Sequence, residues 1–513
     1  MRLFTTVAAL RCYLDSCRDR QVGLVPTMGG LHPGHLSLIR RARNGCEVVV
    51  VSIFVNPLQF GPREDFSKYP RTLEADAQLC RENGVDAVFA PSVEEMYGSP
   101  DRNSSQTAVI APPELTSGLC GASRPGHFQG VTTVVAKLFN LVRPDRAYFG
   151  QKDAQQLAVI RRIAADLNWP IAIVGCPIVR EDSGLAYSSR NQYLTPEEKQ
   201  QATVLHRSLQ AAADRFRVGA RSLDEILEAA KEILATEPAV QVEYLELVDP
   251  DTLEPLEIVT ETGLLAIAAR VGNTRLIDNT LLRTRKPILA IDGPAGAGKS
   301  TVTRRIAEAL NLMYLDTGAM YRAVTWKVLQ SEIPLDDEPA IAELVSRSHL
   351  ELIPDDGQLR VVVDGEDVTE AIRTPEVSNN VSAIASLSAV RKALVKQQQA
   401  FGRRGGLVAE GRDIGTHVFP DAELKIFLTA SVKARSQRRH LELQQKGHSD
   451  IDLEQIEREI ARRDEIDSTR SIAPLRKAVD AIEVETDDLS IDEVTRRIVD
   501  LYAKNLQLGA LQL

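Results

Sequence analysis

The first part of the chain alternates short apolar runs with longer stretches that carry apolar residues at helical spacing. We predict strands over the apolar runs, at 23–26, 47–54, 87–89 and 171–174. We predict helices over the longer stretches, including 37–44, 73–82 and 131–141. Because strands that alternate with helices along a chain usually pair in parallel, this order predicts an α/β domain with a parallel sheet between helices.

The pattern changes after residue 176, where helices become more frequent than strands. A helix-rich segment is followed by an alternating strand and a buried strand, at 196–235, 242–248 and 263–271. These elements predict a small α+β subdomain over 177–279.

A short basic connector follows at 280–286, and an apolar strand at 288–291 then leads directly into a glycine-rich loop. Nucleotide-binding α/β domains commonly open with a strand and such a loop. We therefore predict two α/β modules in tandem, at 1–279 and 287–513.

Composition supports a soluble folded protein and excludes several classes. The 513 residues correspond to about three average domains. Hydrophobic residues make up 43% and charged residues 26%, which is ordinary for globular proteins. The net charge of −10 is shared by both halves, so neither half has the basic excess of a nucleic-acid-binding domain.

Targeting signals and cysteines both favour the cytoplasm. The strongest apolar run, 48–55, is far shorter than the roughly 20 residues of a membrane helix. The N-terminus turns charged at Arg11 before any small-residue cleavage site, so we predict no signal peptide. The six cysteines form no C-x-x-C pair, which is typical of reduced thiols that serve packing.

The first candidate site follows the predicted strand that ends at Pro26. Two glycines at 29 and 30 allow close approach of a ligand to the backbone, and His32 and His35 lie on one side of the helix that starts there. A helix N-terminus and two imidazoles suit a triphosphate whose pyrophosphate is leaving. The alternatives are a zinc pair or two surface histidines, and the zinc pair lacks a third ligand with suitable spacing nearby.

Five segments of the first module together resemble pantothenate synthetases (pantoate–β-alanine ligases). They read VPTMGGLHPGH at 25–35, SIFVNPLQF at 52–60, GASRPGHFQG at 121–130, FGQKDAQQ at 149–156 and LAYSSRN at 185–191. The resemblance implies a Rossmann-like nucleotidylyltransferase domain of the HIGH type over 1–176, with the α+β subdomain after it. It also implies two steps: ATP adenylates the carboxylate of pantoate, and β-alanine then displaces AMP to give pantothenate.

The same resemblance implies the residues of the ligase site. ATP would meet Met28, Gly29, Gly30, Leu31, His32, Pro33, Gly34, His35, Gly150, Gln151, Lys152, Asp153, Val179, Tyr187, Ser188, Ser189 and Arg190. His35 would assist departure of pyrophosphate, Lys152 and Arg190 would neutralise phosphate, and Gln59 and Gln156 would hold pantoate, with Gln59 also placed to orient β-alanine. Tyr187 departs from the Leu or Met expected there, so only its backbone contact is expected. A ligase homodimer is a further expectation from the family.

The second module opens with the motif G-x-x-x-x-G-K-S. Its backbone N–H groups would cradle phosphates, Lys299 would reach the β- and γ-phosphates, and Ser300 would bind Mg²⁺. The P-loop residues are Gly293, Pro294, Ala295, Gly296, Ala297, Gly298, Lys299, Ser300 and Thr301. A flexible glycine turn is the alternative, and the preceding strand and following helix disfavour it.

Arginines that recur on several later segments suit two phosphates held together, since guanidinium groups bind phosphate bidentately. These segments resemble bacterial cytidylate kinases over 287 to about 508. They read TGAMYR at 317–322, DGEDV at 364–368, IRTPE at 372–376, AEGRDIG at 409–415, SVKARSQRR at 431–439 and RRDEIDSTR at 462–470. The resemblance implies a P-loop nucleoside monophosphate kinase that phosphorylates CMP or dCMP, with a monophosphate-binding insert at about 350–400 and a lid at about 431–450.

The implied CMP site has several parts. Ser382, Arg391 and Asp413 would recognise cytosine, Arg322, Arg412 and Arg470 the CMP phosphate, Asp467 the ribose and Arg463 the phosphates, with Thr317 completing the site. Arg435, Arg438 and Arg439 would close over the transferring group, unless they form a solvated basic helix face.

One expected residue is missing: the strand at 424–428 ends in Thr429 without the aspartate that P-loop enzymes often use for Mg²⁺. Asp316 or water is the expected second contact. Two other classes compete with a bifunctional enzyme: an RNA-handling protein that shares the adenylation fold, and a regulatory module in which the P-loop half hydrolyses ATP slowly. The acidic charge disfavours the first, and the arginines of the acceptor site disfavour the second.

Overall fold

The computed structural model describes residues 1–62, 64–98, 107–331, 333–355, 358–445, 452–469 and 473–505. The chain forms two compact units, Met1–Thr284 and Arg285–Leu513. We call them the N-terminal unit and the C-terminal unit. Among the described residues, no helix combines the length and the apolar character needed to cross a membrane.

A six-stranded parallel sheet organises the first part of the N-terminal unit. Its strands are β1 (Arg2–Phe4), β2 (Val22–Thr27), β3 (Val48–Ile53), β4 (Ala87–Phe89), β5 (Arg146–Gly150) and β6 (Ala172–Cys176), in the order β1-β4-β3-β2-β5-β6. The helices around it are α1 (Val7–Asp15), α2 (Pro33–Gly45), α3 (Leu73–Glu82), α4 (Val93–Tyr97), α5 (Pro113–Thr116), α6 (Leu119–Ser123), α7 (His127–Val142) and α8 (Ala154–Asp166). The four valines of β3 are fully buried because helices cover both faces of the sheet.

The α+β subdomain completes the N-terminal unit. Its elements are α9 (Pro196–Arg217), α10 (Leu223–Leu234), β7 (Val240–Val248), β8 (Thr262–Val271) and β9 (Thr274–Arg283), with the antiparallel strand order β7-β8-β9. Thr195 and Glu198 form a capping box at the start of α9. The alternating strands place one apolar face against the two helices.

The structure differs from the expected linker at 280–286. Residues Thr280 to Arg283 pair with β8 and extend β9, and Leu282 is buried in the core of the subdomain. The next strand already begins at Lys286, and the boundary between the two units falls between Thr284 and Arg285 of the chain. Of the basic residues that suggested a connector, Arg283 ends β9, Lys286 begins β10, and Arg285 lies between the two strands.

The C-terminal unit is built on a five-stranded parallel sheet in the order β11-β15-β10-β16-β17. The sheet strands are β10 (Lys286–Asp292), β11 (Met313–Asp316), β15 (Gly405–Gly411), β16 (Leu424–Thr429) and β17 (Ile482–Glu485). The helices are α11 (Lys299–Leu310), α12 (Thr317–Gln330), α13 (Glu338–Arg347), α14 (Pro375–Ser386), α15 (Ser388–Gly402), α16 (Val432–Gln445), α17 (Leu453–Thr469) and α18 (Ile491–Asn505).

The region expected to be a monophosphate-binding insert contains a small antiparallel sheet. Its strands are β12 (Leu350–Asp355), β13 (Gln358–Val363) and β14 (Glu366–Asp367), and α14 and α15 follow it. The expected lid at 431–450 begins with α16, and its last residues, 446–450, lie outside the described residues.

Candidate functional sites

A cavity of about 1080 Å³ opens at the carboxyl ends of the central strands of the N-terminal unit. Ligands of parallel α/β sheets usually bind at this edge. Most residues expected in the ligase site line this cavity: Met28, His32, Gly34, His35, Gln59, Gly150, Lys152, Asp153, Gln156, Val179, Tyr187, Ser188, Ser189 and Arg190. Gly29, Gly30, Leu31, Pro33 and Gln151 lie in the same two loops without lining it.

The loop after β2 owes its shape to a carboxylate distant in sequence. Gly29 and Gly30 have φ angles of +84° and +60°, which favour glycine. The buried carboxylate of Asp76 on α3 accepts the backbone N–H groups of Gly30 and Leu31 at 3.0 and 2.8 Å. Asp76 therefore fixes the loop in an open cradle, and the sequence analysis missed it because nothing in the local pattern of α3 marks it.

The two histidines stand together at the start of α2. Their ring centroids are 4.0 Å apart, and His32 caps the helix because its Nδ1 accepts the N–H of Gly34 at 3.2 Å. Since Nδ1 accepts, the neutral His32 ring carries its proton on Nε2. The Nδ1 atom of His35 is buried and has no hydrogen-bond partner within the described part of the chain.

Both imidazoles are neutral at physiological pH. Burial is the main cause that lowers the pKa of His32 to about 3, and the charge of the neighbouring His35 is the second cause. Burial and the nearby Lys152 lower the pKa of His35 to about 4. Neutral rings bind phosphate as hydrogen-bond donors rather than as cations, and the arriving negative charge of phosphate raises both pKa values.

The loop after β5 is held by the end of the subdomain. The side chain of Asn279 on β9 donates to the carbonyl oxygens of Gln151 and Lys152, both at 2.9 Å. Its neighbour Asp278 forms a bidentate ion pair with Arg180 at 2.6 and 3.0 Å. This buried polar network positions the loop that carries Lys152. The sequence alone does not reveal the network, because its members are distant along the chain.

The third side of the cavity brings Tyr187, Ser188, Ser189 and Arg190 to the histidines. The Tyr187 ring lies nearly parallel to that of His32, with 6.1 Å between centroids, and its backbone N–H donates to the carbonyl of Val179 at 3.0 Å. The guanidinium of Arg190 binds both carboxylate oxygens of Asp65 at 2.9 Å. A phosphate bound by Arg190 therefore competes with Asp65.

The P-loop of the C-terminal unit connects β10 to α11. Gly296 and Gly298 have φ angles of +78° and +82°. A side chain at Gly293 would come within 2.2 Å of the carbonyl oxygen of Leu428, so this glycine is needed for strand packing. The Lys299 ammonium is buried and donates to the carbonyl of Pro294 at 2.7 Å.

Two buried carboxylates stand beside the P-loop. Asp292 accepts the backbone N–H groups of Ile414 and Gly415, both at 2.7 Å, and burial raises its pKa to about 6. Glu410 lies at the end of β15, the strand beside the P-loop strand. Burial and the charge of Asp316 raise the pKa of Glu410, whereas Lys299 favours its charged form.

Several residues expected to bind CMP are brought together. Arg391 and Asp413, both buried, form an ion pair at 2.5 Å, and Arg391 lies 5.4 Å from the ring centre of Tyr321. Arg412 donates to Asp467 at 2.8 Å.

Four arginines of the C-terminal unit, Arg322, Arg412, Arg439 and Arg463, form a dense positive cluster. Burial and the nearby Arg412 lower the pKa of Arg463, and Arg322 and Arg439 also act on it. Arg322 binds Asp316 at 3.4 Å, while its Nε has no partner among the residues that the structure describes. Guanidinium groups crowded in this way are typical of phosphate sites.

Other expected CMP contacts have different surroundings. The Thr317 hydroxyl donates to the carbonyl of Glu410 at 2.7 Å. Ser382 is exposed on α14, one turn before Ala385, whose carbonyl accepts from Arg391 at 3.2 Å. Arg470 lies outside the described residues.

The expected lid arginines are not equivalent. Arg435 is buried and binds Asp464 through both guanidinium nitrogens as well as the P-loop carbonyl of Ala295 at 3.0 Å. Arg438 donates to the hydroxyl and carbonyl of Thr486, and Arg439 is exposed. The solvated basic face is therefore wrong for Arg435, which braces the P-loop because α17 supplies its carboxylate.

Comparisons with known proteins agree with this division of the chain. The family model for pantoate-beta-alanine ligase matches residues 2–281, and the model for cytidylate kinase matches residues 289–504. A curated relative from Nostoc, a bifunctional pantoate ligase/cytidylate kinase, is 60% identical over 99% of both chains. A relative of the same description from Trichodesmium erythraeum is 58% identical over 98% of this chain and 97% of its own.

A solved structure is similar to the N-terminal part. The pantothenate synthetase from Thermus thermophilus shares 50% sequence identity, with a TM-score of 0.52, over 55% of this chain and 99% of its own.

Proposed function

The chain belongs to the family of bifunctional pantoate ligases/cytidylate kinases, and we propose that its N-terminal unit holds the ligase site and its C-terminal unit the kinase site. As a member of that family it is an enzyme with two ATP-dependent reactions. One condenses pantoate with β-alanine through pantoyl adenylate, releasing AMP and pyrophosphate. The other phosphorylates CMP to CDP.

The ligase proposal rests above all on the meeting of His32, His35, Lys152 and Arg190 around one cavity. Attack of the pantoate carboxylate on the α-phosphorus needs in-line positioning and neutralisation of the leaving pyrophosphate. The two neutral imidazoles donate hydrogen bonds to that group, and Lys152 and Arg190 add positive charge. The amine of β-alanine then attacks the acyl carbon of pantoyl adenylate, and AMP leaves.

The kinase proposal rests on the cluster of Arg322, Arg412 and Arg463, in which Arg412 lies near the P-loop lysine. Arg412 and Lys299 lie close enough for their charges to interact, so the acceptor phosphate and the transferred phosphoryl group meet between them. The Arg391–Asp413 pair offers fixed donors and acceptors for the cytosine edge. We include dCMP among the acceptors, and Asp467 as the ribose contact.

Mg²⁺ is part of this proposal, with Ser300 and Glu410 as the residues that would hold it. The Oε2 atom of Glu410 is buried and has no hydrogen-bond partner in the described part of the chain. The expected alternative, Asp316, instead caps α12 by accepting the N–H of Ala319 at 2.9 Å and pairs with Arg322. A carboxylate and a hydroxyl suit Mg²⁺, which neutralises phosphate charge when bound.

We expect Glu410→Gln to weaken binding of ATP about tenfold when Mg²⁺ is present and to change binding little in EDTA, because only the metal complex needs the carboxylate. Calorimetric titration with a nonhydrolysable ATP analogue under both conditions measures this directly. Glu376→Gln, on the exposed start of α14, is the control. Equal weakening with and without Mg²⁺ would show that Glu410 acts only by supporting the P-loop.

Product analysis of the intact chain tests both activities. With Mg·ATP, pantoate and β-alanine we expect AMP, pyrophosphate and pantothenate, and with Mg·ATP and CMP we expect ADP and CDP. If one mixture stays unreacted, the residues assigned to that unit have lost catalysis and serve binding or support.

We also propose a cytoplasmic homodimer assembled through the N-terminal unit, as the resemblance implies. The cytoplasm supplies ATP to both sites and CMP to the kinase site, and the six cysteines are all free thiols. The particle mass in solution tests the dimer, because a monomer at micromolar concentration contradicts it.

A further inference from the structure

A chain of three polar side chains runs through the wall of the ligase cavity from α4 to Gln59. The Tyr97 hydroxyl donates to Asn56 Oδ1 at 2.8 Å, and Asn56 Nδ2 donates to Gln59 Oε1 at 3.0 Å. We infer that Tyr97 and Asn56 are positioning residues that lock the Gln59 amide with its NH₂ group toward the substrate. The inference deepens the proposed ligase function, because it assumes that pantoate binds beside Gln59.

Two backbone groups determine which atom donates and which accepts in the hydrogen bonds that link Tyr97, Asn56 and Gln59. The N–H of Leu58 can only donate, so the Asn56 atom 3.2 Å from it must be the oxygen. The carbonyl of Gly130 can only accept, so the Asn56 atom 3.0 Å from it must be the nitrogen. The orientation of Asn56 is therefore set by two groups that cannot reverse their roles.

The orientation of Gln59 follows from that of Asn56. Because Asn56 presents its NH₂ group, the atom of Gln59 that faces it must be the acceptor Oε1. The Nε2 atom of Gln59 then lies 3.0 Å from the sulfur of Met28, in the ATP loop at the cavity. A thioether is a weak acceptor, so a substrate oxygen readily replaces it.

The backbone around Gln59 is held as firmly as its side chain. Arg124 and His127 both bind the carbonyl oxygen of Gln59, at 3.3 and 2.8 Å. A side chain at Gly130 would come within 2.3 Å of the carbonyl oxygen of Leu58, so α7 packs directly against this turn. Gln59 is thus a rigid donor and not a side chain that adapts to its ligand.

A fixed NH₂ group selects for the chemistry of its partner. It binds the carboxylate or a hydroxyl oxygen of pantoate, and it rejects a ligand that presents an N–H or ammonium group at this place. We therefore assign Gln59 to an oxygen of pantoate rather than to the amine of β-alanine, narrowing the role that the resemblance implies.

The test compares four variants by calorimetric binding of pantoate and by KM values. Gln59→Glu keeps the contact with Asn56 but turns a carboxylate oxygen toward the substrate, so we expect it to bind pantoate more weakly than Gln59→Ala does. Tyr97→Phe removes one anchor and should raise the KM for pantoate about threefold, and Asn56→Asp should raise it at least tenfold, since Asp cannot donate to Gln59. The KM for ATP should change less than twofold in Tyr97→Phe.

The outcomes separate this inference from the function on which it rests. Tyr13→Phe, on α1 of the same unit, is the matched control and should leave both KM values unchanged. If Gln59→Ala does not weaken pantoate binding, the proposed site itself is wrong. If Gln59→Ala weakens binding but Gln59→Glu binds as well as the unmodified protein, the fixed polarity is overturned while the ligase site stands. Tyr97→Phe also covers the case in which Asn56→Asp does not fold.

Discussion

Replacing Lys299 with methionine is expected to reduce CMP phosphorylation by a factor on the order of 10³ and to leave pantothenate synthesis within about twofold. Lys299 is buried in the P-loop, where water cannot replace its ammonium as a partner for phosphate oxygens. Methionine keeps the length and most of the volume of the side chain, so the loss reflects charge and hydrogen bonding rather than a cavity. The measurement is a pair of rates, CDP formation and pantothenate formation, on the same preparation.

The comparison includes a matched lysine. Lys396→Met alters an exposed residue of α15 in the same unit and should leave both rates unchanged. Preserved circular dichroism and thermal midpoint show that Lys299→Met is folded. A parallel loss of pantothenate synthesis in the folded variant would contradict the independence of the two sites. Kinase activity above about a tenth of that of the unmodified protein would show that Lys299 has no direct role in phosphoryl transfer.

The local strands, turns and helices around the two candidate sites were predictable from the sequence. The strand, glycine turn and helix around His32 and the P-loop around Lys299 are local patterns, and the structure has each strand and helix where the periodicity indicated. In the N-terminal unit, β9 was not predicted as a strand, and neither were β1 and β5 of the parallel sheet. These two sheet strands differ from a typical buried strand. The first is only three residues long, and the second begins with Arg146 and ends in glycine, so neither has the apolar run that marks a buried strand.

The supporting residues were not predictable from the sequence because their partners are distant in it. Asp76 reaches the loop after β2 from α3, and Asn279 reaches the loop after β5 from the end of the unit. Each is an ordinary polar residue until the fold buries it beside unpaired backbone groups.

The same reason explains the correction for Arg435 and the proposal for Glu410 in the C-terminal unit. Arg435 resembled a member of a basic helix face until α17 placed Asp464 against it. The position of Glu410 depends on the strand order of the sheet, because only the pairing of β15 with β10 puts Glu410 beside Ser300. The P-loop pattern predicts a Mg²⁺ carboxylate at the end of β16, the other neighbour of the P-loop strand, where Thr429 stands instead.

A His35→Ala variant is expected to slow formation of pantoyl adenylate about a hundredfold or more, with CMP phosphorylation unchanged. His35 is partly buried at the start of α2, with its Nδ1 atom inaccessible, and its pKa of about 4 keeps the ring neutral and able to donate one hydrogen bond. That donor acts on the pyrophosphate as its negative charge grows, so its loss raises the barrier of the first step. The second step no longer involves pyrophosphate and should keep its rate within about threefold.

The two half-reactions are measured separately. Exchange of labelled pyrophosphate into ATP, dependent on pantoate, reports the first step, and reaction of β-alanine with prepared pantoyl adenylate reports the second. His206→Ala is the control, because His206 also has a buried Nδ1 without a partner among the described residues but contacts Gly184 instead of the ATP loop.

The pH dependence adds a further criterion. Since the pKa of His35 lies at about 4, well below 6.5, the free enzyme holds the neutral ring from pH 8 down to about pH 5. For the unmodified protein, kcat/KM for ATP in the first step should therefore show no loss from this group as the pH falls through 6.5. A loss centred near 6.5 that disappears in His35→Ala would show that His35 titrates near its ordinary pKa and would contradict the lowered pKa, whereas a gain as the pH falls would show that the charged ring acts. Equal slowing of both half-reactions would make His35 a support of the fold instead of a partner of the leaving group.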